Sequence, residues 1–310
     1  MINQKTSALG VIVSVGLLTG CGASTSATSA STATLPSGVP ASFSQATTKW
    51  SDVSNGGNTV TAQGFTSEAT FVRNTSTAAA PVIDTTGEVK INYDSSGKIS
   101  GFSIKNNHVD LTWTDGFTKN TRDPSLTVTD GDEADGMIYD PEVTSPWDYQ
   151  TMATWVLTDE SAGTGRMGAI SVGNHNAVSI PTTSSATFSG KAEGIYLDDA
   201  HKFHGVSSDA ALTADFVNKT VSFATSNSQI HDLEYLNADQ IKSELDLTGT
   251  FSYSSAVNNL TASNLTSTSG WTGGTASAKF YGPNAEEIGG VFSIRGTGKE
   301  AYEGAFGAKQ

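Results

Sequence analysis

Two imidazoles three residues apart, in His201-Lys202-Phe203-His204, and a third at His231 are the side chains in this 310-residue chain best suited to ligate a metal or a haem iron. All three fall in predicted loops, so His201 or His204 could join His231 on one iron only if two loops met at one end of a domain. Isolated surface histidines are the commoner outcome, and the spacing leaves both readings open. His108 and His175 are less informative still. The acidic run Asp130-Gly131-Asp132-Glu133-Ala134-Asp135-Gly136 suggests a calcium loop, but its spacing fails. Counted from Asp130, Ala134 stands fifth and Asp135 sixth, where an EF-hand needs an oxygen ligand and then a glycine. It reads as a solvated loop, and no metal is expected. There is no Gly-x-Ser-x-Gly and no phosphate-binding glycine loop. Carboxylate pairs occur only in turn-like clusters, so a non-enzymatic protein is expected. Trp147, Tyr149, Tyr196, Tyr235, Trp271 and Tyr281 are candidates for a binding face, because Trp and Tyr anchor interfaces, although most should serve the core.

The single cysteine carries the most specific signal. Lys5 precedes an apolar run from Ala8 to Leu18, too short for a membrane span and of the length of a signal peptide. The run leads into Leu18-Thr19-Gly20-Cys21. This segment resembles the lipobox of bacterial lipoproteins. The resemblance implies removal of residues 1–20, acylation of Cys21 and anchoring in a bilayer by several acyl chains such as palmitate. An ordinary secretory leader followed by an incidental cysteine is the alternative. With Cys21 acylated no thiol is left for a disulfide, so core packing and hydrogen bonds must hold the fold. The formal charge is −14, and one unit more negative once Lys5 leaves with the leader. That acidity argues against nucleic acid as a partner and against electrostatic attachment to anionic headgroups.

The elements that must position these residues read as strands. Residues 21–42 read as a flexible tether, since residues 22–40 are almost entirely Ser, Thr, Ala and Gly with two prolines. Order begins near Phe43 and Trp50. Glu88 to Tyr93 alternates, Asp94-Ser95-Ser96-Gly97 supplies turn chemistry, and Lys98 to Ile104 returns as a hairpin. His108 to Trp113 alternates again. Periodicity fades over 114–148, which places a domain boundary at 145/146. Beyond it come strands at Tyr149–Leu157, Ala186–Leu197, Leu212–Phe216, Thr220–Phe223, Leu245–Tyr253, Asn258–Leu265, Thr275–Tyr281, Ile288–Ile294 and Tyr302–Phe306. One helix is predicted near Leu245, capped by Asn237 with Gln240 at the capping-box position and Ile241 on its apolar face. The fold class is all-β, with a barrel or sandwich at its C-terminal end.

Several of these segments are familiar together: Phe280-Tyr281-Gly282-Pro283-Asn284-Ala285-Glu286-Glu287-Ile288-Gly289-Gly290-Val291-Phe292, the ending Gly304 to Gln310, Pro181 to Tyr196, and Ala214 to Val221. The set resembles the β-barrel domain of the transferrin-binding protein B family of surface lipoproteins, to which factor H-binding protein and haemophilin-like haem carriers are related. The resemblance covers about residues 147–310. It implies an eight-stranded antiparallel barrel at 146–310, a β handle domain at 43–145, and display at the outer membrane, often through a dedicated translocator. Gly282, Gly289 and Gly290 are expected to serve the tight curvature of barrel closure, and Tyr302–Phe306 to close the barrel. Two-lobed relatives capture transferrin; this chain has room for one lobe, so that ligand is not carried over. The expected function is capture of a host protein or small solute, with iron or haem acquisition one option. A periplasmic structural or assembly lipoprotein without a nutrient ligand is the alternative.

Overall fold

The computed structural model describes residues 28–29, 38–54, 56–72, 82–119, 125–130, 134–139, 147–159, 161–231, 240–254, 257–298 and 300–310. Cys21 and its leader, most of the expected tether, residues 131–133 of the acidic run, Tyr235 and Asn237 lie outside them.

Eight long strands build an N-terminal sheet: β1 (Asn58–Val72), β2 (Val82–Tyr93), β3 (Ile99–Lys105), β4 (Val109–Trp113), β5 (Ser125–Asp130), β6 (Ala134–Tyr139), β7 (Gln150–Asp159) and β8 (Thr164–Gly173). They lie in the order β4-β3-β2-β1-β8-β7-β6-β5, with short strands added at Thr28–Ser29, Val39–Ala41 and Thr118–Lys119. The sheet curls around Val60, Ile91, Phe102, Ile104, Leu111 and Trp155. A one-turn helix, Trp50–Val53, plugs this core: Trp50 is buried and its indole N–H donates to the Tyr93 hydroxyl at 2.8 Å. The predicted hairpin forms. Asp94 Oδ1 accepts the backbone N–H groups of Ser96 (2.8 Å) and Lys98 (3.0 Å). The Ser96 hydroxyl, with those amides, holds the Asp94 carboxyl below its usual value.

The second sheet is a closed antiparallel barrel: β9 (Ser185–Leu197), β10 (Phe203–Asp215), β11 (Thr220–His231), β12 (Leu247–Ser252), β13 (Leu260–Ser267), β14 (Gly274–Tyr281), β15 (Glu287–Arg295) and β16 (Ala301–Lys309). Each strand pairs with its sequence neighbour, and β16 returns to β9 over nine residue pairs, from Ser189 with Lys309 to Leu197 with Ala301. The last strand thus closes the barrel as expected and removes an exposed edge. Alternation is visible in β11, where Val221 and Phe223 point inward while Ser222 faces out. The interior is aromatic: Phe223 lies 4.8 Å from Phe306 and 5.9 Å from Phe251, ring centre to ring centre.

Two expectations are corrected. The boundary at 145/146 is too early, because β7 and β8 complete the N-terminal sheet. β8 pairs with β1 from Thr164 opposite Val72 to Val172 opposite Gly64, and the barrel strands start only at Ser185. Both faces of β7 and β8 are buried. Trp155, Leu157, Ile170 and Val172 fill the N-terminal core, while Met152, Val156, Met167 and Ala169 press on the barrel. The predicted helix near Leu245 is also absent from the described residues. Gln240–Ile241 pairs with β11 as a short strand, and Ser243–Leu245 forms one 3₁₀ turn. Edge pairing there satisfies backbone groups that a helix would have satisfied internally.

Candidate functional site

One end of the barrel gathers the loops that join β9 to β10, β13 to β14 and β15 to β16. Tyr196, at the end of β9, organises this rim. Its ring packs against Trp271 (6.2 Å) and stacks on His204 (5.8 Å), and its hydroxyl donates to Glu300 Oε1 at 2.6 Å. Burial, then Glu300, pushes the Tyr196 phenol well above its ordinary value. The Lys242 ammonium stands 5.9 Å over the same ring and pairs with Glu244 at 2.9 Å. His204 Nε2 meets Asp198 Oδ2 at 3.0 Å. Burial raises the Asp198 carboxyl, but the bonds from His204 and the Lys202 N–H prevail and hold it low. Tyr196 (4% exposed) and Trp271 (7%) are buried in the barrel core and brace the rim from beneath, while His204 is half-buried among the carboxylates and Ile241 is highly exposed on the neighbouring short strand. This chemistry suits a polar contact surface with one exposed apolar side chain.

His201 sits in the β9–β10 turn at φ +61°, and its N–H closes the turn on Asp198 O at 2.9 Å. His231 lies elsewhere. It pairs with Gly205, and a Cβ at Gly205 would lie 2.0 Å from its ring. Successive strand residues face opposite ways, so His204 and His231 project from opposite faces of the barrel wall. The shared iron site is not assembled. Among the described residues no group of three or more His, Cys, Asp or Glu side chains is placed to hold a metal ion.

His231 instead faces the seam between barrel and N-terminal sheet. There its Nε2 is 3.3 Å from Ser207 Oγ, and that hydroxyl donates to Glu193 (2.9 Å), as does the Tyr139 hydroxyl (2.8 Å). A cavity of about 30 Å³ at this point is lined by Glu193, His231, Asp135, Met137 and Trp155. The seam is a clasp built on glycines. Trp147 lies over Gly307, where a Cβ would come within 2.7 Å of the indole. Tyr149 lies over Gly282, which also has φ +80°, a region closed to most side chains. Gln150 reaches across Gly289 and donates to Ile288 O (3.1 Å) and Ala308 O (3.3 Å). Glu287 accepts the N–H groups of Asp148 (2.5 Å) and Tyr149 (3.1 Å). The expectation for the glycines is thereby refined: of Gly282, Gly289 and Gly290, only Gly282 has a positive φ, and Gly289 makes room for a partner.

Sequence reading placed Tyr196, His204 and Trp271 among its candidates but missed Gln150, Glu193 and Glu287. Trp147, Tyr149 and Tyr281 belong to the seam or the wall rather than to the rim.

Residues 180–310 match the family described as the C-lobe and N-lobe β-barrels of transferrin-binding protein B. No curated protein matches the sequence. Among solved structures, similar chains include transferrin-binding protein B variants from Haemophilus parasuis and Actinobacillus pleuropneumoniae and the isotype 1 protein from serogroup B Neisseria meningitidis. The first is 12% identical, with 74% of this chain and 54% of that one covered, at TM-score 0.42. For the second the values are 14%, 80%, 99% and 0.40. For the third they are 18%, 74%, 44% and 0.41. The chain spans about half the length of the first of these structures. The closed barrel that begins at Ser185 is thus the part of the chain that is similar to the β-barrels of transferrin-binding protein B.

Proposed function

We propose that this protein is a lipid-anchored binding protein of the outer membrane, displayed at the cell surface, that captures a host protein with its barrel rim. The match of residues 180–310 to the barrels of transferrin-binding protein B carries the reading. The rim supports it: exposed Ile241 offers apolar contact area above the buried Tyr196–Trp271 pair, and Asp198, Glu244 and Glu300 offer a negative field to a basic partner. Cys21 supplies the lipid attachment. The partner is a host protein, and transferrin is the first to test. Uptake of iron is the process such capture serves, with an outer-membrane translocator delivering the protein to the surface.

The test is equilibrium binding of the purified full chain to a panel of host serum proteins, transferrin included, with a parallel haem titration followed at the Soret band. Saturable binding to a panel protein that weakens at least tenfold in Ile241→Asp, whose side chain is exposed at the rim, supports the reading. A Soret shift with no protein bound would replace host-protein capture by haem binding. No binding to any panel protein at about 10 μM, weaker than useful capture demands, rejects it.

A further inference from the structure

We infer that the seam between the N-terminal sheet and the barrel is a proton-controlled joint: Glu287 and Glu303 favour the closed seam when they hold a proton and loosen it when they lose one. The inference is independent of what the rim binds. Both carboxyl groups project from the outer wall of the barrel, from β15 and β16, into the surface that the N-terminal sheet covers. Both are 0% exposed. Neither makes an ion pair among the described residues.

The groups around each are few. Glu303 Oε1 accepts the Ser293 hydroxyl at 2.5 Å, and Arg295 on β15 attracts it without pairing. Across the seam, β1 presents the Ser67 hydroxyl; the carboxylate of Glu68, on the other face of that strand, paired with Arg166 and 3.4 Å from His108, repels Glu303 from there. Glu287 meets the two N–H groups of Asp148 and Tyr149, the repelling carboxylate of Asp148, and Lys309 on β16. Elsewhere along the seam stand Glu193, His231 and Asp135 around the small cavity, and Lys279 4.9 Å over the Phe65 ring.

Burial is the largest influence on both groups. It raises Glu287 to about 7 against the bonds from Asp148 and Tyr149. It raises Glu303 to about 8 against Ser293, Arg295 and Ser67. An open seam returns both carboxyls to water and to the ordinary value of 4.5. The closed seam then binds protons more tightly than the open one, so it is favoured in acid. That advantage is complete below pH 4.5 and is lost as pH rises through 7 and 8.

Native-state hydrogen exchange on the full chain, corrected for intrinsic rates, reads this directly. Exchange at Asp148, Tyr149 and Asn174, whose amides are bonded across or beside the seam, gives its opening equilibrium. Amides in the β14–β15 ladder give global unfolding. Opening is expected to grow at least about tenfold from pH 6 to pH 8 and to exceed global unfolding throughout. Glu303→Gln, which keeps an acceptor for Ser293 and carries no charge, is expected to cut that growth about threefold or more. Seam opening that is flat with pH, that grows toward acid, or that coincides with global unfolding overturns the inference in the wild-type protein alone. An unchanged pH slope in both Glu303→Gln and Glu287→Gln overturns it as well.

Discussion

Adding one methyl group at Gly289 should unclasp the two halves of the molecule. The backbone there has no positive φ, so the glycine is required by space alone. A Cβ would stand 1.8 Å from Gln150 Oε1 and 3.0 Å from Ser171 Oγ. Gln150 is 1% exposed and cannot swing into water. Displacing its amide breaks the bonds to Ile288 O and Ala308 O, worth about 1 kcal/mol each. Crowding a filled site adds about 1–3 kcal/mol. Gly289→Ala is therefore expected to cost about 3–5 kcal/mol, and Gly270→Ala about 1 kcal/mol. The second glycine has φ +90° but open space around it, so only backbone strain is added. Urea unfolding followed by tryptophan fluorescence measures both. In the double variant Gln150→Ala/Gly289→Ala the two costs should fall short of their sum by about 1–3 kcal/mol, since the clash needs both groups. A Gly289→Ala protein within about 0.5 kcal/mol of wild type, or strictly additive costs, would refute the clasp.

Three further outcomes are expected. Arg166→Met should cost about 2–4 kcal/mol by urea unfolding, because it strips the guanidinium from the buried Glu68, whose remaining partners among the described residues are Asn106 (3.2 Å) and His108 (3.4 Å); adding Glu68→Gln should restore about half. Phe223→Ala, which removes a ring in contact with Phe251, Phe292 and Phe306, should cost about 3–5 kcal/mol in the same assay. His204→Ala should weaken capture of the protein partner at least tenfold in equilibrium binding while lowering stability by about 1 kcal/mol or less, since its pairing with Asp198 is partly solvated.

Much of the barrel was legible because its strands have one wet face and one dry face. Leu212, Ala214, Val221 and Phe223 alternate with polar residues, and the turn at Val217–Lys219 marks the hairpin between them. β7 and β8 were harder. Their two dry faces erase alternation, and β8 finds its partner β1 about 100 residues earlier, a choice no local pattern encodes. The domain boundary was misplaced for that reason. At the rim, Tyr196, Trp271 and His204 were named, but which faces they share depends on register. His204 next to Gly205 shows this: one residue faces inward, and the other receives His231 from the seam. Glu287 and Glu303 were invisible because a glutamate in an alternating strand reads as solvated until a second domain covers it. The Gly282, Gly289 and Gly307 positions were the only trace of that cover in the sequence, each bare where Tyr149, Gln150 or Trp147 settles.

Surface display with the barrel facing outward is the claim on which the binding role stands. Protease treatment of intact cells that make the full chain, followed by detection of the barrel domain, tests it most directly. The account predicts that residues 43–310 are cut or released while the outer membrane is whole. Full-length protein that survives on intact cells and is cleaved only after the outer membrane is breached would contradict it.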